Sequence, residues 1–266
     1  MDNDWRLSSA ARTRDARNDP RTTHEFITTA LTETDEDRAW DAVMTLQFRG
    51  TRDVFDAASQ LCVSECPQER ALGANILGQL GIPDRAFPHE SVVLLLKLLS
   101  VEGDEAVISA ICKALGHVHD PGAILALSRL KAHPSSEVRL AVVFGLLGFE
   151  QHLAIRALIE LSTDQNDLVR DWATFGLGSQ IDSDTPQIRE ALLARLADSD
   201  EVVRGEGLVG LARRNDERVI EPLLILQRGF SNYGKMGKLF SYPSSPVQEP
   251  GLPILTTRAV VLGVAQ

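Results

Sequence analysis

The apolar residues of the chain recur in a fixed register. Leu46, Leu77, Leu115, Leu146, Leu177 and Leu211 occupy one slot, 31, 38, 31, 31 and 34 residues apart. Around them lie related stretches: "QERALGANILGQLG" (68–81), "DEAVISAICKALG" (104–116), "SSEVRLAVVFGLLG" (135–148), "NDLVRDWATFGLG" (166–178) and "SDEVVRGEGLVGLA" (199–212). A period of this length means one supersecondary unit stacked many times. Each unit reads as helix A, a polar turn, then helix B. The A helices carry Ile124, Leu127 and Leu130; Ile155, Leu158 and Leu161; Ile188, Leu192 and Leu196; Ile220, Leu223 and Leu226. Spacing of three to four makes one apolar stripe on a helix of about three turns. The turns "AHPSSE" (132–137), "STDQND" (162–167) and "ADSDE" (197–201) offer Ser, Asp and Asn as N-caps. The long step marks an insertion around "GIPDRAFPHE" (81–90), where Pro83 and Pro88 break the helical pattern. No segment alternates as a strand would, so the pattern predicts an all-α chain.

In the B helices, counting from Arg139, Arg170 or Arg204 as zero, apolar or small residues fall at −1, +3, +4 and +7. At roughly 100° per residue these share one buried face. Gly145, Gly176 and Gly210 stand at +6, on its border. Glycine there costs about 1 kcal/mol of helix propensity against alanine, so close approach of a neighbouring helix is the expected return. Position +5 is nearly opposite the stripe, yet it holds Phe144, Phe175 and Val209. Leu140 at +1 and Trp172 at +2 lie on the same outward side, with Asp171 and Glu206 beside them. An exposed apolar strip rimmed by charge marks a binding surface, and aromatics carry much of interface energy. The alternative is that these side chains are buried within the chain itself.

Val138–Arg139, Val169–Arg170 and Val203–Arg204, with Gly145–Leu146, Gly176–Leu177 and Gly210–Leu211 following, resemble the HEAT repeat. The resemblance is closest to the short HEAT-like repeats of bacterial proteins, a type also found in bilin lyases. It is completed upstream by Ile76–Leu77–Gly78 and Ala114–Leu115–Gly116. It implies an α-solenoid, or superhelix, of about six helix-pair repeats over 23–228, with the B helices lining the concave surface. It also implies a structural ladder of Arg139, Arg170 and Arg204 running between repeats, beside Glu137, Asp167 and Asp200. An anion-binding stripe is the competing reading of those arginines; a ladder is favoured because an Arg near a buried stripe needs carboxylate partners.

Composition narrows the function. Of 266 residues 44% are apolar and only 5% aromatic, and the formal net charge is −10. That charge opposes a nucleic-acid backbone, and no apolar run reaches the length of a membrane span. The polar start lacks the apolar core of a signal peptide. The expectation is a cytoplasmic chain with no nucleic acid and no membrane among its partners. Cys62, Cys66 and Cys112 are expected as reduced packing residues, without a zinc-like His or Cys pair. Deoxyhypusine hydroxylases are also HEAT-like and bind iron through repeated His–Glu pairs; here only His24–Glu25 and His89–Glu90 occur, in unlike positions of their repeats. Nothing singles out a chromophore pocket or a catalytic residue, and no metal or cofactor is expected.

The sequence therefore predicts a non-catalytic protein–protein interaction scaffold or adaptor. A partner protein segment would lie on the strip Leu140, Phe144, Asp171, Trp172, Phe175, Glu206 and Val209. A bilin-lyase-like or metal-dependent enzyme subunit is the alternative. Residues 1–22 carry no apolar stripe and are expected as a mobile arm. The tail from 229 abandons the repeat: it either folds back over the open last repeat or reflects a changed reading frame, and self-association through this C-terminal end is a further expectation.

Overall fold

The computed structural model describes residues 2–224, with side chains from Ser9 onward. Among these residues there are thirteen α-helices and no strand. The chain divides into two compact units, the first running to Leu146 and the second starting at Leu147.

The first unit opens with α1 (Asp2–Asn18) and continues with four helix pairs: α2 (Thr23–Thr32) and α3 (Glu36–Arg49), α4 (Arg52–Leu61) and α5 (Pro67–Gln79), α6 (Pro88–Leu99) and α7 (Glu105–Val118), α8 (Ile124–Arg129) and α9 (Ser136–Leu146). A 3-10 turn at Pro121–Ala123 leads into α8. The second unit holds two pairs, α10 (His152–Leu161) with α11 (Asp167–Ser179) and α12 (Pro186–Arg195) with α13 (Glu201–Arg213). A 3-10 turn at Glu217–Val219 then starts another A helix. Each A helix packs on its own B helix, and successive B helices pack side by side: α3, α5, α7 and α9 in the first unit, α11 and α13 in the second. This is the all-α solenoid class that the repeat pattern predicts.

The six slot leucines sit one on each B helix, all at 0–2% exposure. Fully burying a leucine is worth roughly 2 kcal/mol, so this row is the spine of both cores. The polar turns cap the B helices as expected. Asp35, Asp104 and Asp200 each accept two backbone N–H bonds, and Asn166 accepts one from Val169. The insertion lies between α5 and α6, and Pro88 opens α6 at its first turn, where the missing N–H costs nothing.

The expected glycine contacts are present, and a second glycine joins them. Gly78, Gly116 and Gly178, one residue after the slot leucine, face the +6 position of the next repeat. A Cβ on Gly178 would lie 3.1 Å from the Gly210 Cα, and one on Gly116 would lie 2.9 Å from the Gly145 Cα. The B helices thus touch backbone to backbone, and glycine at both positions is what permits the spacing.

The N-terminal segment departs from expectation. Residues 2–18 form a helix that packs on α3 rather than a mobile arm. Its anchor is polar: the buried Arg49 donates to the carbonyls of Ala16, Asp19 and Arg21, and Arg17 donates back to the Arg49 carbonyl. The next helix, α2, starts at Thr23 behind a Thr22–Glu25 capping box. The tail boundary at 229 lies outside the described residues.

Candidate functional site

The arginine at position zero of the B helix forms a recurrent fork. One guanidinium nitrogen donates to two carbonyls of the preceding turn: Ser64 and Glu65 for Arg70, His133 and Pro134 for Arg139, Asp164 and Gln165 for Arg170, Asp198 and Ser199 for Arg204. In Arg70 and Arg170 the other nitrogens grip a carboxylate bidentately. Arg70 holds Glu102 at 2.7 and 2.9 Å, and Arg170 holds Asp198 at 3.1 and 3.0 Å. For Arg70 and Arg170 the acid comes from the turn of the next repeat, Glu102 and Asp198, rather than from the turn that precedes their own helix. Asp167 and Asp200 instead bind backbone N–H groups at the start of their own helices. Arg70 belongs to the ladder although no valine precedes it.

Asp198 is the densest node. It also accepts from Arg195 at 3.2 Å and from the Asp200 backbone N–H. Burial works to raise its pKa, but the Arg170 hydrogen bonds, the Asp200 N–H and the charges of Arg170 and Arg195 together hold it below the ordinary value. Glu102 is held low chiefly by its Arg70 hydrogen bonds. Asp19 is brought down to about 2 by its side-chain bond to Arg21, and Asp216 is lowered chiefly by Arg218. A carboxylate depressed in the folded state stabilises it above the unfolded pKa of about 4 and loses that contribution as pH falls through the folded value. Stability is therefore expected to be flat near neutrality and to fall between about pH 4 and pH 2, as followed by thermal melting. Asp198→Asn should cost about 1–3 kcal/mol at pH 7, and its gap from the wild type should narrow as the pH is lowered, measured by urea titration.

The strip residues are placed unevenly. In the first unit Leu140 and Phe144 are half-buried on α9, and the Lys113 ammonium lies 6.0 Å from the centre of the Phe144 ring. In the second unit Trp172 on α11 and Val209 on α13 are half-buried. Phe175, however, is only 1% exposed, and Asp171 and Glu206 are buried as well. The helical wheel put these three on an open, charge-rimmed face. The difference comes from the tight pairing of α11 and α13, which presses the Glu206 backbone to within 3.2 Å of where a Gly178 Cβ would stand. The Trp172 ring also packs edge-on against Phe175, with centroids 5.5 Å apart. Four members of the strip remain partly accessible: Leu140, Phe144, Trp172 and Val209.

A family profile described as HEAT repeats matches residues 92–178 and 155–229, together just over half of the chain. The chain belongs to the HEAT-repeat family. Protein YibA of Escherichia coli K12 is 30% identical over 187 residues, covering 67% of this chain and 65% of YibA; the O157:H7 protein matches equally. The match thus spans slightly less than two thirds of these bacterial relatives. The crystal structure of E. coli YibA superposes with a TM-score of 0.65 at 24% identity, covering 80% of this chain and 77% of that one. An engineered protein superposes at 0.50 and 20% identity, over 73% of this chain and 98% of its own. Both likenesses concern the fold.

Within this HEAT framework Cys62 and Cys112 are buried in the packing. Burial pushes the Cys62 and Cys112 thiols up to about 12, far from the thiolate a metal or nucleophile requires. Cys66 starts α5, with its thiol 3.0 Å from the Gln68 side-chain oxygen. His119 is the C-cap of α7 in the left-handed region at φ 58°, and His24 and His89 are exposed on α2 and α6. Among the described residues no group of three or more His, Cys, Asp or Glu is arranged to hold a metal ion, and no helix is long and apolar enough to cross a membrane.

Proposed function

We propose that the chain is a non-catalytic scaffold that receives a segment of another protein on the outward faces of its B helices. The observation that carries this reading is made in each unit by itself: apolar side chains at outward B-helix positions, Leu140 and Phe144 in the first and Trp172 and Val209 in the second, are left half-open where an idle HEAT surface needs only polar residues. Half-buried aromatics on rigid helices lose little entropy on docking. The arginine forks fix the helices that present them. The fold relatives support the architecture, and the partner's identity is open to direct capture.

The experiment is an affinity capture from the native host with four proteins. These are the wild type, Leu140→Asp/Phe144→Asp, Trp172→Ala/Val209→Asp, and Leu125→Asp on the exposed side of α8 as a control. A partner retained by the wild type and the control but lost from the strip variants, at unchanged circular dichroism, supports the reading. Loss from the control alone would move the site to the A helices. A bound metal or chromophore in the purified protein would favour the enzyme-subunit alternative.

A further inference from the structure

One joint between B helices of the first unit lacks the backbone contact that the close joints share. At those, the residue after the slot leucine meets the residue before the slot leucine of the next B helix. A Cβ on Gly78 would stand 2.7 Å from the Ala114 Cα, one on Gly116 2.9 Å from the Gly145 Cα, and one on Gly178 3.1 Å from the Gly210 Cα. Between α3 and α5 the same two places hold Gln47 and Ile76, at 1% and 0% exposure. Two long side chains keep these backbones apart, and α3 touches α5 far more sparsely than α5 touches α7. The Gln47 Nε2 donates to the Asn75 carbonyl at 2.9 Å. Its buried Oε1 meets no donor among the described residues.

The close approach moves instead to the C-terminal ends of the two helices. Gly50, the C-cap of α3, and Gly81, just beyond α5, both have positive φ, 58° and 75°. A Cβ on Gly50 would stand 2.6 Å from the Gly81 Cα, and the Gly81 N–H donates to the Gln47 carbonyl at 2.7 Å. Gly81 opens the insertion, which is fastened on the far side of this joint. Arg85 donates to the His117 carbonyl of α7 at 3.0 Å. The Phe87 ring lies 5.2 Å from that of Phe55 on α4, and Arg52 stacks on both. Arg85 and Phe87 hold φ of 61° and 51°, a conformation that non-glycine residues keep only where their surroundings fix it. Gly81 is therefore a fixed bearing for the end of α3. A further tie across the joint is the Thr23 hydroxyl of α2, which donates to the Asp53 carboxylate of α4.

We propose that the α3/α5 joint is a hinge, at which α2 and α3 tilt as one body about the Gly50–Gly81 contact while α4, α5, the insertion and α7 stay together. α2 and α3 pack closely on each other, whereas few contacts cross to α5 to oppose the tilt. α3 has 14 residues, so at about 1.5 Å per residue a tilt of about 15° carries its N-terminal end through about 5 Å. The tilt sets the curvature of the outward B-helix face in this unit without opening any of the glycine contacts.

Distances between pairs of spin labels on the full-length protein test this. Labels carried by an unnatural amino acid leave the three cysteines untouched. They replace Asp37, Gln68 and Ala106, each exposed and nine residues before its slot leucine on α3, α5 and α7, and the exposed Thr28 on α2. The 37–68 distribution should be broader than the 68–106 one by about 5 Å, with 28–37 as narrow as 68–106. Gln47→Ala, which removes one tie across the joint, should broaden 37–68 further. The other two pairs and the circular dichroism should not change. Equal widths for 37–68 and 68–106 would overturn the proposal. So would a 28–37 distribution as broad as 37–68, which would show the first helix pair to be loose in itself. A Gln47→Ala variant that changes no pair, or broadens all three, would also contradict it.

Discussion

Arg214→Ala is expected to destabilise the second unit by about 3–5 kcal/mol, the range for breaking a buried charged network. Arg214 is 8% exposed. Its two terminal nitrogens donate to five carbonyls: Gly178 and Gly210 at 3.1 and 3.0 Å, and Leu177, Ile181 and Ser183 at 2.7, 3.3 and 3.0 Å. Four of these belong to the end of α11 and the loop after it, so a single side chain ties α13 to the preceding repeat. Burial pushes its pKa down, but a guanidinium stays charged at any ordinary pH, and the carbonyl dipoles supply the compensation. Arg214→Lys should recover little, because one ammonium with three donors cannot span carbonyls arranged for a planar fork. Arg214→Met fills the volume without the donors and should remain at least 2 kcal/mol below the wild type, on the order of the penalty for buried unsatisfied carbonyls. Urea melts of the three variants check this. Equal stability of Arg214→Met and wild type would show that packing alone holds the loop.

The second large effect is expected at the backbone contact between α11 and α13. Gly210→Val should cost about 2–3 kcal/mol. A Cβ at 210 would stand 2.7 Å from the Gly178 Cα and 2.9 Å from both Leu192 methyl carbons. The leucine can rotate away, but a backbone atom cannot. Helix propensity runs the other way, since any residue other than proline is a better helix former than glycine. A loss of stability would thus show that packing outweighs propensity. Gly205→Ala makes the comparison within the same helix, because a Cβ there meets nothing within 4 Å. It should be neutral or stabilising by up to about 1 kcal/mol. Thermal melts of the pair separate the two effects cleanly.

Arg214 and Arg49 also illustrate what a one-dimensional pattern conceals. Both stand three residues after their slot leucine, and both reach back to the carbonyls that precede their repeat. Nothing in the apolar pattern of 1–22 announces α1, because its hold on α3 includes the polar fork of Arg49 and the buried members among its described side chains are the small Ser9 and Ala16. By contrast the six slot leucines, the +6 glycines and the Asp and Asn caps follow from periodicity and local hydrogen bonding, and the structure places them as read. The ladder was legible in its arginines but not in its acids, since Glu102 and Asp198 lie 32 and 28 residues away from the arginines they bind. Arg70 was legible too, seven residues before Leu77, once the slot rather than the Val-Arg pair is used as the guide.

The strip shows a different limit. A helical wheel gives the direction of Phe175 but not the distance to the next helix, and glycine pairing makes that distance short. Direction alone therefore overstates exposure wherever both helices carry glycine at the contact. Leu140, Phe144, Trp172 and Val209 keep part of their surface open and bear the functional proposal. Phe175 now reads as a support for Trp172, which it meets edge-on. Interface reinforcement from such a ring pair is about 0.5–1.5 kcal/mol, so Phe175→Leu should weaken partner binding less than Trp172→Ala does.

The most direct test of the scaffold account is hydrogen exchange on the protein with and without its captured partner. The account predicts added protection on the B helices, centred on α9, α11 and α13, with α8, α10 and α12 unchanged. Protection confined to the A helices, or to the turns between repeats, would contradict it.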